Sequence, residues 1–125
     1  MERKERSHKK LDVWKQSIKL IKMIYILCPD LPSDEKFGMI SQLKRASVSI
    51  SLNIAEGAAR QSEKEYSHFL SIASGPLSEI DTLIEVLSEL ELIGVHTRNE
   101  VFDQIDKVSA LLNGLQKYVR RRMNL

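Results

Sequence analysis

Gln42–Arg60 reads Q-L-K-R-A-S-V-S-I-S-L-N-I-A-E-G-A-A-R, and wound as a helix at about 100° per residue it sorts its side chains into three surfaces. Gln42, Arg45, Ser49, Asn53, Glu56 and Arg60 fall into one polar stripe, confined to an arc of about 80°. Leu43, Ala46, Ile50 and Ile54 form an apolar flank on one side of it, and Val48, Leu52, Ala55 and Ala59 form another on the far side. A helix at the edge of a bundle needs one apolar face. Two such faces imply packing inside the subunit and also against a second surface, so the expectation concerns association before chemistry.

The segment before it carries the same signal. Leu11, Trp14, Ile18, Ile21, Tyr25 and Cys28 recur at steps of three and four, and Val13, Leu20, Ile24 and Leu27 widen the apolar arc to about 200°. Lys15, Lys19 and Lys22 hold the remaining face with Asp12. Pro29 and Pro32 end this first helix. The second helix is expected from about residue 34 to about 60, capped by Ser33 or Asp34, with Asp34 and Glu35 near its positive end.

Downstream, Ser62-Glu63-Lys64-Glu65 has capping-box spacing. Tyr66, Phe69, Ala73, Leu77, Ile80, Ile84, Leu87 and Leu90 then carry a third helix toward Gly94 as its stop. Gly75-Pro76 interrupts it, but the apolar phase stays continuous, so one kinked helix is expected. Thr97-Arg98-Asn99-Glu100 reads as a further capping box, and Val101, Ile105, Val108, Leu112, Leu115 and Val119 as the seam of a last helix ending in Arg120-Arg121-Arg122. No useful stretch alternates with period two. The expected fold is all-α, an antiparallel up-and-down four-helix bundle over residues 11–125, preceded by a flexible basic tail at residues 1–10.

At 125 residues the chain fits one domain with its own core. Cys28 is the sole cysteine, so no intrachain disulfide forms and a reducing, cytoplasmic setting is expected. No apolar run approaches the roughly 20 residues that span a bilayer, and the amino terminus does not resemble a signal peptide. No membrane partner is expected. The net charge of +2 hides a segregation: residues 1–60 hold twelve Lys/Arg against seven Asp/Glu, residues 61–106 two against ten, and residues 107–125 five against none.

Catalytic chemistry finds little footing. Glu65 and His68 have the Glu-x-x-His spacing of di-iron bundles, but that chemistry needs a second such pair, and none exists. His8 sits in the amino-terminal tail and His96 in the expected loop before the last helix, neither with a visible partner. Phosphate-cradling, zinc-protease and nucleophile-elbow motifs are missing. No enzyme activity, metal or cofactor is expected.

Two constellations remain. Arg45, Asn53, Glu56 and Arg60, with Glu79 on the third helix as an acidic partner, form a solvated face, a buried structural network or interface, or a ligand site. Lys9, Lys10, Lys15, Lys19 and Lys22 near the start and Lys117, Arg120, Arg121 and Arg122 near the end are candidate phosphate donors, because first and last helices can be neighbours in an up-and-down bundle. Aromatics are scarce and Trp14 and Tyr25 are expected to be buried, so such binding would follow the backbone of RNA or DNA rather than its bases.

L-D-V-W-K from Leu11, the Gln42–Arg60 segment with its N-I-A-E-G core, and F-L-S-I-A-S-G-P-L-S-E-I-D-T-L from Phe69 resemble the bacterial four-helix-bundle proteins of the 23S rRNA intervening-sequence family. The resemblance runs in order over about residues 11–120, with Asn53–Gly57 and Arg60 its most specific part. Pro76 departs from it, since serine is usual there. The resemblance implies an up-and-down bundle, a ring-like homopentamer and no catalytic activity. It also implies kinship with an accessory protein of diversity-generating retroelements that works with a reverse transcriptase and nucleic acid. The resulting expectation is a non-enzymatic homo-oligomer, assembled through the extra apolar surfaces of its first two helices, that binds RNA or DNA through basic termini. The alternative is a protein-interaction scaffold that uses its acidic middle and an apolar groove.

Overall fold

Among the described residues four α-helices carry about three quarters of the chain: α1 (Asp12–Leu27), α2 (Met39–Ala58), α3 (Glu63–Glu89) and α4 (Val95–Met123). The computed structural model describes residues 6–124, with Lys10 described by its backbone alone. Each helix packs on its neighbour in sequence and α4 closes back onto α1, giving the antiparallel up-and-down bundle. No helix among the described residues is long and apolar enough to cross a membrane.

The core takes one stripe from each helix. On α2 it is Leu43, Ala46, Ile50 and Ile54, the first of the two flanks. On α1 the buried stripe is Val13, Ser17, Leu20, Ile24 and Leu27, which corrects the sequence reading. The residues taken there as the principal seam lie to one side: Trp14 and Ile21 are half-buried, Ile18 is 40% exposed and Tyr25 44% exposed. An apolar arc of about 200° contains more than one helical phase, and packing selects between them. Only Cys28 of that set is enclosed, where burial raises its thiol pKa and the charge of Lys44 partly opposes the rise.

Several helix ends also differ from expectation. Residues 33–35 form a separate 3-10 turn and α2 starts at Met39. Neither Ser33 nor Asp34 caps it. Glu35 folds back instead, its carboxylate accepting from the Met39 N–H at 3.3 Å. Ser62 caps α3 as read, its hydroxyl accepting from the Glu65 N–H at 3.1 Å. α3 passes through Pro76 as one continuous helix. Its core stripe includes Leu70 and Leu83, whereas Tyr66 and Phe69 are half-buried and Leu90 is exposed. The stop is not Gly94 but Glu91, at φ 58°, with the Leu92 N–H reaching the Leu87 carbonyl at 2.9 Å. Gly94 instead precedes α4, which begins at Val95 and takes Thr97 and His96 into its first turn. His96 therefore does have a partner, the Glu100 carboxylate at 2.9 Å.

Ser7–Lys10, read as part of a disordered tail, forms a 3-10 turn whose His8 ring stands edge-on to Trp14 at 5.2 Å. Residues 1–5 of the tail lie outside the described residues.

The enclosed polar groups find partners within the bundle. Ser17 and Ser51 share a hydrogen bond at 2.7 Å across the α1–α2 seam, and Ser17 also donates to the Trp14 carbonyl. Gln104 on α4 donates to the Gln16 carbonyl on α1 at 2.9 Å, and Gln116 reaches Ser71 on α3 at 3.4 Å. Small side chains bring α1 and α2 together. At Gly57 α2 packs tightly on α3: a Cβ there would stand 3.0 Å from both Phe69 Cβ and Tyr66 Cδ1.

Candidate functional site

The second apolar flank of α2 is left open by its own chain. Leu52 is 60% exposed, Ala59 is exposed, and Val48 and Ala55 are half-buried. This flank lies on the α1 side of α2, next to Ser51 and Lys44, and Lys44 stands over the Tyr25 ring at 4.9 Å. Trp14, Ile18, Ile21 and Tyr25 sit on the α2 side of α1, beyond Ser17. The two strips therefore border one seam and make a continuous apolar face. Burying a large aliphatic or aromatic side chain is worth about 1.5–3 kcal/mol, so this face carries a substantial drive toward a partner.

The polar stripe lies on the other side of that flank. Glu56 and Arg60 pair at 3.3 Å, Arg60 comes within 3.9 Å of Glu65, and its guanidinium lies 4.8 Å from the Phe69 ring. Asn53 donates to the Ser49 carbonyl at 2.8 Å. The buried network does not form within one chain: Arg45, Glu56, Arg60 and Glu79 are all exposed. The register that seats Gly57 against Tyr66 and Phe69 brings Glu79 level with Arg45, but no ion pair joins them among the described residues. Water solvates both ends of that pair, which removes the drive to close it.

Charge is polarised along the bundle. At the end formed by the start of α1, the end of α2, the start of α3 and the end of α4 stand Lys9, Arg60, Lys64, Lys117, Arg120, Arg121 and Arg122. Arg60 and Lys64 join this end through topology, a signal that the up-and-down reading already contained. Arg122 is held by Glu63 at 3.0 Å and by the Tyr118 hydroxyl at 3.0 Å, and those hydrogen bonds raise its pKa further. Nearby, burial and then the charges of Glu63 and Tyr118 raise the Tyr66 phenol. Lys15 is one turn up α1. Lys19 and Lys22 stand higher, and Lys19 lines a groove with Glu100, Asp103 and Lys107, so the nine candidate donors do not form one patch. The Lys10 side chain lies outside the described residues.

The opposite end is acidic, with Asp30, Asp34, Glu35, Glu89, Glu91 and Glu100. It carries an open pocket of about 300 Å³ lined by Met23, Ile26, Leu27, Leu92, Ile93 and Val101. Phe37, in the turn before α2, is 90% exposed. Among the described residues no group of three or more His, Cys, Asp or Glu side chains is placed to hold a metal, and Glu65 and His68 are both exposed.

The family model of the 23S rRNA-intervening sequence protein matches residues 9–114. The chain belongs to that family. The match takes in the N-I-A-E-G segment and three of the four helices completely, and it stops within α4 before the arginine run. The chain is also similar to a solved protein of unknown function from the S23 ribosomal protein family of Bacteroides thetaiotaomicron VPI-5482. The two share 26% identity with a TM-score of 0.77, over 84% of this chain and 98% of that one. Curated proteins gave no match.

Proposed function

We propose that this member of the 23S rRNA-intervening sequence family is a non-enzymatic bundle that assembles with copies of itself, as a pentameric ring, and binds the backbone of RNA or DNA with its basic end. The observation that carries the reading is the open apolar seam of α1 and α2, where Leu52 and Ile18 stand in water in the single chain. Covering it with a second subunit removes that surface from water. Subunits arranged in parallel around a ring bring their basic ends onto one rim. Each contributes Lys117, Arg120 and Arg121 free of intrachain ion pairs among the described residues. The kinship that the sequence resemblance implies, with an accessory protein of diversity-generating retroelements, would agree with such a rim. Contacts of this kind read phosphates, so affinity falls steeply with salt.

Light scattering after size exclusion, run with and without a short RNA, tests both halves. The reading requires a multi-chain mass without RNA and co-elution with it. Replacing Lys15, Lys117, Arg120 and Arg121 by Gln should weaken RNA binding and flatten its salt dependence while leaving the mass at about 0.5 M salt unchanged, where exposed charge pairs are screened. RNA affinity unaltered by those changes overturns the nucleic-acid half alone.

A second reading, a protein-interaction scaffold, is favoured by the apolar pocket at the acidic end with its rim of Asp30 and Glu100. A complex that survives nuclease and about 0.5 M salt, which screens phosphate contacts, would support it.

A further inference from the structure

The outward ridge of α4 carries a pattern that neither the core nor the α1–α2 seam explains. Asp103, Asp106, Ala110, Gly114, Lys117 and Arg121 all lie on the side of α4 opposite its buried Leu112, and all are exposed. Asp103 and Asp106 occupy one half of this ridge, with Lys107 at its edge toward α1, Lys117 and Arg121 occupy the other half, and the two smallest side chains its middle. Gly114 is the unexpected member. Glycine is the least favourable helix residue apart from proline, and among the described residues a Cβ at Gly114 would meet nothing within 4 Å. Gly57 is enclosed by Tyr66 and Phe69; Gly114 has no such intrachain reason. Beside it runs an open, largely apolar groove of about 310 Å³ between α4 and the start of α1, lined by Leu11, Val13, Leu111 and Leu115.

We propose that this ridge pairs with the same ridge of a second copy, the two α4 helices running antiparallel about a two-fold axis beside Leu112. In an isologous contact, positions equally far from the axis on opposite sides meet. Asp103 and Arg121 are each nine residues from Leu112, so each Asp103 faces the second copy's Arg121. On the side of the ridge away from α1, Asp106 faces the second copy's Lys117. Ala110 and Gly114 lie at the crossing, where the missing side chains let two backbones approach closely. The apolar groove is continuous with the crossing and is covered in the same event. A parallel pairing would set Asp103 against Asp103 and Arg121 against Arg121, so the charges select the antiparallel one.

This contact uses a different face from the α1–α2 seam, and the two fail separately. The experiment is light scattering of the full chain at about 0.05 M and about 0.5 M salt, a range over which exposed charge pairs become screened. The low-salt mass should exceed the high-salt mass, because every subunit of a ring presents its own ridge to a further copy. Gly114→Leu should abolish that gain in mass while the helical circular dichroism is retained, since a side chain there meets nothing among the described residues. Asp103→Arg and Arg121→Asp should each abolish it, and the two together should restore it, which controls for misfolding of any one variant. Leu52→Glu, which disables the seam, should leave a two-chain species. A mass equal at both salts and unmoved by Gly114→Leu overturns the proposal, as does a mass gain seen only when RNA is added, which would assign the ridge to nucleic acid.

Discussion

The Ser17 and Ser51 hydroxyls meet at 2.7 Å inside the α1–α2 seam, at positions fully enclosed on α1 and almost so on α2. Two such small residues let the helices lie close, and the pair fixes which flank of each helix turns inward. The side chains just beyond them, Ile18 and Ile21 on α1 and Val48 and Leu52 on α2, are thereby held side by side on the outside. Ser51→Ala removes one partner and leaves Ser17 its bond to the Trp14 carbonyl, so it should cost about 1 kcal/mol. Ser51→Leu overfills the seam and should cost about 1–3 kcal/mol or more. Urea denaturation of both variants checks the order.

Gly57, the last residue of the N-I-A-E-G segment, is buried where α2 packs tightly on α3. Gly57→Ala would place a methyl 3.0 Å from Phe69 Cβ and 3.2 Å from the Tyr66 carbonyl oxygen, which is backbone and cannot swing away. Alanine's advantage in a helix, about 1 kcal/mol, is outweighed by overpacking worth about 1–3 kcal/mol. A lowered midpoint of thermal unfolding is expected. A stabilised variant would show that the α2–α3 contact is looser than described.

Glu91 ends α3 in the left-handed region that glycine adopts freely. It also adds negative charge near the negative end of the helix. Glu91→Gly should therefore stabilise the chain by about 0.5–1 kcal/mol, read as a rise in melting temperature with no change in assembly mass.

Alkaline conditions should weaken the fold. Burial raises the Cys28 thiol above its ordinary 9.0 and the Tyr66 phenol above its ordinary 10.0. The folded state then holds both protons more tightly than the unfolded chain does, so their contribution is complete below pH 9 and is lost as pH rises through the higher folded values. Melting temperature should fall as pH rises above about 9, and Cys28→Ala with Tyr66→Phe should flatten that fall.

Much of this architecture was legible because α2 separates its surfaces so cleanly. Leu43, Ala46, Ile50 and Ile54 went inside, while Leu52 and Ala59 stayed exposed and Val48 half-exposed, as two flanks on one helix require. α1 was misread in phase for the opposite reason: its apolar arc is so wide that periodicity could not tell Val13, Leu20 and Ile24 from Trp14, Ile18 and Tyr25. Buried polar residues were not legible at all. Gln104 is enclosed because Gln16, 88 positions away, accepts from it, and no local pattern announces such a partner. Arg45 and Glu79 illustrate the converse. Their levels in the bundle followed from the register, but solvent on both left the pair open. The basic end was half legible, since clusters of Lys and Arg at the two termini were plain, while the contributions of Arg60 and Lys64 depend on where the helices turn.

The account stands on a second subunit covering the apolar face of α1 and α2. Light scattering at micromolar concentration and about 0.5 M salt, where ridge charges and phosphate contacts are screened, measures that directly. The predicted mass is several times the 14.3 kDa of one chain, five times for the proposed ring, and Leu52→Glu should lower it. A wild-type mass of 14.3 kDa under those conditions would contradict the account.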